Sequence, residues 1–232
     1  MRKSKNNFLW AFAASLCTTI AVAQSQESLN TDRPDQSEGV YTLPKGQFQV
    51  ENGLVFSKEE STDNLMLRYG LITNTEIRLE TNFDVKTPDF SSTIFSVKQR
   101  LWESERYLPS VSLIGYGQYS KTDVKKYSFD ACLAFESSLS EQLSLAYSLS
   151  SVQQFEGYNF TTELNYTPTS KFWGFVEYYA TYQPHYAPLH NINAGIAYFI
   201  KPNFQIDLSG GRTLFQEEAN YFLEVGMGYL FN

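Results

Sequence analysis

From Gly46 to the last residue, hydrophobic and polar side chains alternate with a period of two, and turn signals interrupt the alternation repeatedly. That is the period of an extended strand, whose successive side chains point to opposite faces, and not the 3.6 of a helix. The pattern divides into twelve segments. The first sets Phe48, Val50, Leu54 and Phe56 against Gln47, Gln49 and Glu51. Leu65, Leu67 and Tyr69 then face away from Arg68, and the third segment, the cleanest, opposes Ile77, Leu79 and Phe83 to Glu76, Arg78, Glu80, Asn82 and Asp84. Phe95, Val97 and Leu101 oppose Lys98 and Arg100; Val111, Leu113 and Tyr119 oppose Ser112 and Gln118; Phe129, Leu133 and Phe135 oppose Asp130 and Glu136. Further faces are Leu143 to Leu149, Phe160 to Tyr166 against Glu163, and Val176 and Tyr178 against Phe175, Glu177 and Tyr179, where both sides are aromatic. The last three run through Ile192 to Tyr198, Phe204 to Leu208 against Asp207, and Tyr221 to Phe231 against Glu224.

Turns after even segments are read as tight or modest (Thr73-Asn74, Glu103 to Tyr107, Lys201 to Asn203) and those after odd segments as tending to be longer (Val85 to Thr93, Gln183 to His190, Thr213 to Glu218). An even strand number with that asymmetry predicts an all-β fold, a closed antiparallel up-and-down transmembrane β-barrel of about 12 strands. A soluble barrel would also alternate, with its apolar face inward. Aromatic residues near segment ends, charge on the opposite face in nearly every segment and a terminal amphipathic strand ending in Phe231 favour the apolar face outward, against outer-membrane lipids. A terminal aromatic strand of this kind is what outer-membrane assembly machinery recognises, so that machinery is an expected partner.

The chain before Gly46 reads differently. Arg2, Lys3 and Lys5 precede an apolar run that ends in Ala21-Val22-Ala23, which predicts a signal peptide over 1–23. Residues 24–45 are polar, carry Pro34 and Pro44 and follow neither period, so they predict an extended arm, either a periplasmic lead-in or a plug in the lumen. The barrel then occupies 46–232.

Composition removes other classes. A chain of 232 residues with 16% aromatic content is wrong for disorder, and a mean hydropathy of −0.33 is wrong for a helical membrane protein. Net charge is −7, and falls to −10 once the leader takes its three cations, so nucleic acid is disfavoured as a partner. Only Cys132 then remains, which leaves no intramolecular disulfide and predicts a packed, inert thiol.

The run Thr31-Asp32-Arg33-Pro34-Asp35-Gln36-Ser37-Glu38, followed by Pro44-Lys45-Gly46 and Phe48-Gln49-Val50-Glu51, resembles the opening of the outer-membrane β-barrel proteins of the meta-pathway phenol degradation (MetA) transporter family. Leu67-Arg68-Tyr69-Gly70, Glu76-Ile77-Arg78-Leu79 and the turn at Lys201-Pro202-Asn203 continue the likeness. The resemblance implies a protein of the Gram-negative outer membrane that passes small, often aromatic, compounds.

Candidate lumen residues are Glu51, Arg68, Arg78, Glu80, Lys98, Arg100, Glu163, Glu177, Asp207 and Glu224, with the basic ones clustered in the second to fourth segments. They fit either a transverse field across a solute pathway or a salt-bridge network that fills a narrow barrel. If the arm folds back, Arg33 would meet wall carboxylates, and Asp32 or Asp35 would meet Arg68, Arg78 or Arg100. Trp173, Tyr178, Tyr179, Tyr182 and Tyr186 form an aromatic concentration that suits either a greasy mouth for a solute or a girdle. Catalysis is not expected: His185 and His190 are the available bases and neither is followed two residues on by Ser. No metal-ligand spacing and no cofactor motif occurs. The expected function is a passive channel for small solutes, with a structural or interaction barrel of closed, salt-bridged lumen as the alternative and a lipid-modifying barrel enzyme as the third reading.

Overall fold

The computed structural model of the chain describes residues 29–58, 61–87, 89–104, 108–121, 125–218 and 220–231. The expected signal peptide lies outside them. Twelve strands follow in order: β1 (Phe48–Ser57), β2 (Ser61–Ile72), β3 (Thr75–Asp84), β4 (Phe90–Trp102), β5 (Ser110–Ser120), β6 (Tyr127–Ser138), β7 (Leu143–Val152), β8 (Gly157–Thr169), β9 (Phe172–Tyr182), β10 (Leu189–Lys201), β11 (Phe204–Leu214) and β12 (Tyr221–Phe231). Each pairs antiparallel with its neighbour in sequence, and β1 closes on β12 from Phe48↔Phe231 to Ser57↔Phe222. Closure matters because a free edge would expose backbone N–H and C=O groups that hydrocarbon cannot satisfy.

Side-chain burial is inverted relative to a soluble domain. Gln49, Glu51, Arg68, Glu76 and Lys98 are fully buried, while Leu133, Leu149 and Leu208 are 40%, 50% and 43% exposed on the outside. An outward apolar surface of that extent is stable against lipid and not against water. In β9 the ambiguous phase resolves the same way, with Phe175 and Glu177 buried inside and Val176 outside. Outer aromatics form two belts. Phe48, Phe231, Tyr229 and Phe204 contact one another at the end that carries the termini, with Phe135 stacked on Tyr147 at 5.0 Å. Phe83, Phe90, Tyr119 and Tyr127 form a chain at the other end, where Tyr158 stacks on Tyr182 at 4.8 Å. Both positions suit amphipathic rings at a membrane interface.

The loop asymmetry differs from expectation. Strand pairing continues to Phe83↔Phe90, so the connection between β3 and β4 spans 85–89, and β9 and β10 are joined by 183–188. A longer connection, 103–109, lies after β4, an even strand. Each added ladder pair satisfies backbone groups that a loop would leave to water, which favours extending the hairpins past the apolar band. Charge on the inner face is also less general than the alternation suggests: β5 to β7 present Ile114, Cys132, Ala134 and Ala146 inward.

Candidate functional site

Residues 29–45 run inside the barrel. The arm starts at the termini end, where the Leu29 N–H donates to the Pro202 carbonyl in the turn between β10 and β11. It rises to Pro34–Ser37 and returns through Val40 and Leu43 to Gly46, whose N–H donates to Gly70 at the end of β2. Two apolar contacts anchor it: Val40 packs on Ile114, Cys132 and Ala134, and Leu29 and Leu43 pack with Leu230. The buried Cys132 thiol is part of this packing.

Charge does the rest of the positioning. On the β2 to β4 side, Asp32 lies 2.8 Å from Arg78, 2.9 Å from Lys98 and 3.4 Å from Arg68. Arg68 also pairs with Glu51 at 2.8 Å and with Glu76 at 3.0 Å, and Arg78 pairs with Glu38 at 2.8 Å. Burial alone would raise the Asp32 carboxyl, but Arg68, Lys98 and Arg78 outweigh it and hold this arm residue well below the usual carboxylate range. Wall carboxylates accept backbone N–H groups of the arm as well, Glu51 from Asp32 and Glu76 from Leu43 at 2.7 Å. Tyr116 on β5 donates its hydroxyl to Glu38 at 2.6 Å.

Toward β11 and β12, Arg33 reaches Glu224 at 2.6 Å and Asp207 at 3.5 Å. Its guanidinium lies against Gly53 of β1 and Gly226 of β12, where an added Cβ would stand 2.0 and 2.4 Å from it. The strand glycines therefore make the seat that Arg33 occupies. Glu177 accepts the Gln36 N–H at 3.0 Å and the Ser37 hydroxyl at 2.8 Å. Ser112 and Ser209 donate to the Val40 and Pro34 carbonyls. The dipeptide Asp32-Arg33 thus divides its charges, its anion toward the basic residues of β2 to β4 and its cation toward the acidic residues of β11 and β12.

The structure brings Glu51, Arg68, Arg78, Lys98, Glu177, Asp207 and Glu224 onto the arm, and places Asp35 and Glu163 on one cavity beside it. Two residues expected there lie elsewhere. Arg100 donates to Asn74 and pairs with Glu103 at the turns flanking β4, because it sits one inward position beyond Lys98 toward the strand end. Glu80 accepts from Asn64 and Asn82 further up β3. The aromatic concentration also divides. Trp173 and Tyr179 take the inward register of Glu177, whereas Tyr178 turns outward, its hydroxyl 2.6 Å from His190. Glu38, Tyr116 and the glycine pair are functional positions that alternation does not announce; strand glycines on the charged face are the signal that marks them.

Two cavities flank the arm. One of about 670 Å³ opens toward the termini end and is lined by Asp35, Ser37 and Gly39 of the arm with Glu163, Trp173 and Phe199 of the wall. The other, about 720 Å³, is lined by Tyr116, Gln118, Asp130 and Ser150 and lies toward the loops that follow odd strands. Among the described residues no group of three His, Cys, Asp or Glu is placed to hold a metal ion.

Comparison with solved structures finds the same barrel fold. The chain is similar to the KdgM porin in complex with disordered oligogalacturonate, at 14% identity over 79% of this chain and 99% of that one, with a TM-score of 0.66. It is also similar to the NanC porin, at 8% identity over 78% of this chain and 98% of that one, with a TM-score of 0.62. No curated protein matches it. Residues 31–231 match the family described as "Putative MetA-pathway of phenol degradation", so that the match begins within the buried arm and takes in every strand, and the chain belongs to that family.

Proposed function

We propose that this protein is an outer-membrane channel for small solutes, aromatic compounds included, and that its N-terminal arm closes the lumen at rest. The observation that carries the reading is the arm itself. It crosses the lumen beside the two cavities and is bound by ion pairs to both walls, while the wall residues that hold it are side chains of a rigid barrel. A twelve-stranded barrel is wider than the eight-stranded kind that its own side chains fill. Here chain segment 29–45 supplies the filling, and what fills by non-covalent contact can leave. Passage would be passive. The expected leader at 1–23 and the terminal strand ending in Phe231 support delivery to the outer membrane of a Gram-negative bacterium through its assembly machinery.

One observation favours a second reading, a structural barrel with a permanently closed lumen: the Asp32 network is fully buried and multiply paired. Planar-bilayer conductance separates the two. The channel reading expects rare or small steps from the intact protein and frequent, larger steps from a form lacking residues 24–45. Silence from both forms, each shown to be folded, would leave the structural reading.

A further inference from the structure

The acidic side of the arm carries more acceptors than the protein supplies donors. Glu163 is 2% exposed, its Oε1 accepts from Asn165, and its Oε2 has no fixed donor, only the Asp35 carboxyl within hydrogen-bond reach of the same group. Oδ1 of Asp35 and Oδ1 of Asn165, also buried, have no fixed donor either. All three residues line the same cavity of about 670 Å³, together with Glu136. An ionised carboxylate accepts and cannot donate, so two facing carboxylates repel unless something positive stands between them. Burial, then Glu163 and Glu177, push the Asp35 carboxyl up, which shows the same shortage of positive charge from the arm's side. The cations that touch this cavity, Lys171 in a turn and Lys201 at the end of β10, are exposed at its rim, and Arg33 is committed to Glu224 and Asp207.

Hydroxyl and amide side chains such as Ser144, Thr167 and Gln205 share the lining with an apolar group. Leu29, Trp173, Phe199 and Pro202 lie on the same cavity, and the Trp173 indole N–H is already given to Gln205. A pocket with aromatic walls and a cluster of unmet acceptors suits a ligand with an apolar body and a donor-bearing positive end. A bare metal ion suits it less, because no three-carboxylate or histidine group is assembled for one among the described residues.

We infer that the cavity bounded by Asp35, Glu163 and Asn165 is a binding site for a small organic cation, a primary ammonium on an apolar or aromatic body. The ammonium, entering from the cavity, replaces the proton that the Asp35 and Glu163 carboxyls would otherwise have to share and brings donors to Oδ1 of Asp35, Oε2 of Glu163 and Oδ1 of Asn165. The body lies along Trp173 and Phe199. This inference rests on the channel reading for its meaning, as the substrate class of the pathway, but the site itself exists whether or not the lumen conducts. Because Asp35 belongs to the arm, such a ligand touches plug and wall together.

Isothermal titration of the detergent-purified protein with phenethylammonium chloride tests it, with 2-phenylethanol and phenylacetate as matched neutral and anionic probes. The expected result is saturable binding of the ammonium, at least tenfold weaker binding of the alcohol and none of the carboxylate. Glu163→Gln, and independently Asp35→Asn, should each weaken the ammonium about tenfold, while Glu80→Gln, whose carboxylate lies off this cavity, should leave it unchanged. Two single variants on different elements keep the test alive if one fails to fold. Equal binding of alcohol and ammonium would overturn the inference, since a proton shared between the carboxyls would then suffice. So would an ammonium affinity that ignores both substitutions, or no binding to the folded protein. Binding with no conductance in any form would sink the channel reading and spare the site, and conductance without binding would do the reverse.

Discussion

On the β2 to β4 side of the lumen, Arg68, Arg78 and Lys98 meet Asp32, Glu38, Glu51 and Glu76, and each cation has at least two carboxylates within 4 Å. On the β8 to β12 side, Asp207 and Glu224 share one guanidinium, that of Arg33, while Glu163 and Glu177 meet no cation and accept from side-chain amides, backbone amides and a hydroxyl. Both walls bury charge, yet the first is nearly matched, with three cations for four carboxylates, and the second has one cation for four. Removing one partner from a nearly matched buried network leaves an uncompensated charge and is costly, whereas an under-neutralised wall depends on whichever cation is present. The basic wall is therefore a latch and the acidic wall a seat whose occupancy can change. The difference lies in the arm, which brings three acids and a single base, Arg33, into the lumen between residues 31 and 38.

The largest effect is expected where the seat has one occupant. Arg33→Ala leaves Asp207 and Glu224 buried and facing each other without a cation, a change that costs about 3–5 kcal/mol when a buried pair loses one member. The barrel ladder does not involve Arg33, so the loss should fall on docking of the arm. Single-channel recording should show long open dwell times, and protease added to the open lumen should clip the chain before Gly46. An Arg33→Ala protein that stays closed and protected would mean that the basic latch alone holds the arm.

Gly226→Val asks the same question from the wall without touching the arm. Its Cβ would stand 2.4 Å from Nη2 of Arg33, and the guanidinium is pinned by Glu224 on the same strand. Overpacking of this kind costs about 1–3 kcal/mol, less than removing the cation, because Arg33 can shift part of the way. Intermediate open probability is the expected outcome, with heat-modifiable migration unchanged. If Gly226→Val opened the channel as fully as Arg33→Ala, the fit of the guanidinium, and not its charge, would be what closes the lumen.

The period-two alternation was enough to read strand number, phase and closure, because a membrane barrel imposes one rule on every strand: apolar outward. Glu51, Arg68, Arg78, Lys98, Glu177, Asp207 and Glu224 were readable as inward for the same reason. Which charge meets which was not readable. Asp32 pairs with Lys98 across 66 positions and Arg33 with Asp207 across 174, and no local pattern encodes such separations. Arg100 shows the limit well: alternation places it inward beside Lys98, but height along the strand, which alternation ignores, puts it at a turn with Glu103. The arm's position had a legible trace in Gly53 and Gly226, small residues on the charged face of strands that otherwise carry bulky side chains, though a glycine in a strand has several uses.

The smallest effect should come from the ion pair that resembles the lumen pairs in distance but not in surroundings. Lys58 and Glu218 lie 3.0 Å apart in the loops that follow β1 and β11, with side chains 72% and 86% exposed. Exposed pairs gain little, since water screens the attraction and two long side chains lose freedom to make it. Glu218→Ala should leave conductance, thermal stability and arm protection unchanged within error, at low salt as well as high. A gain in open probability from this substitution would mean that charge at the loop end reaches the arm through the cavity lined by Tyr116 and Asp130. The contrast between a nearly matched and an under-neutralised wall would then have to include the loops, and Arg33 would no longer be the one cation that decides whether the acidic side is occupied.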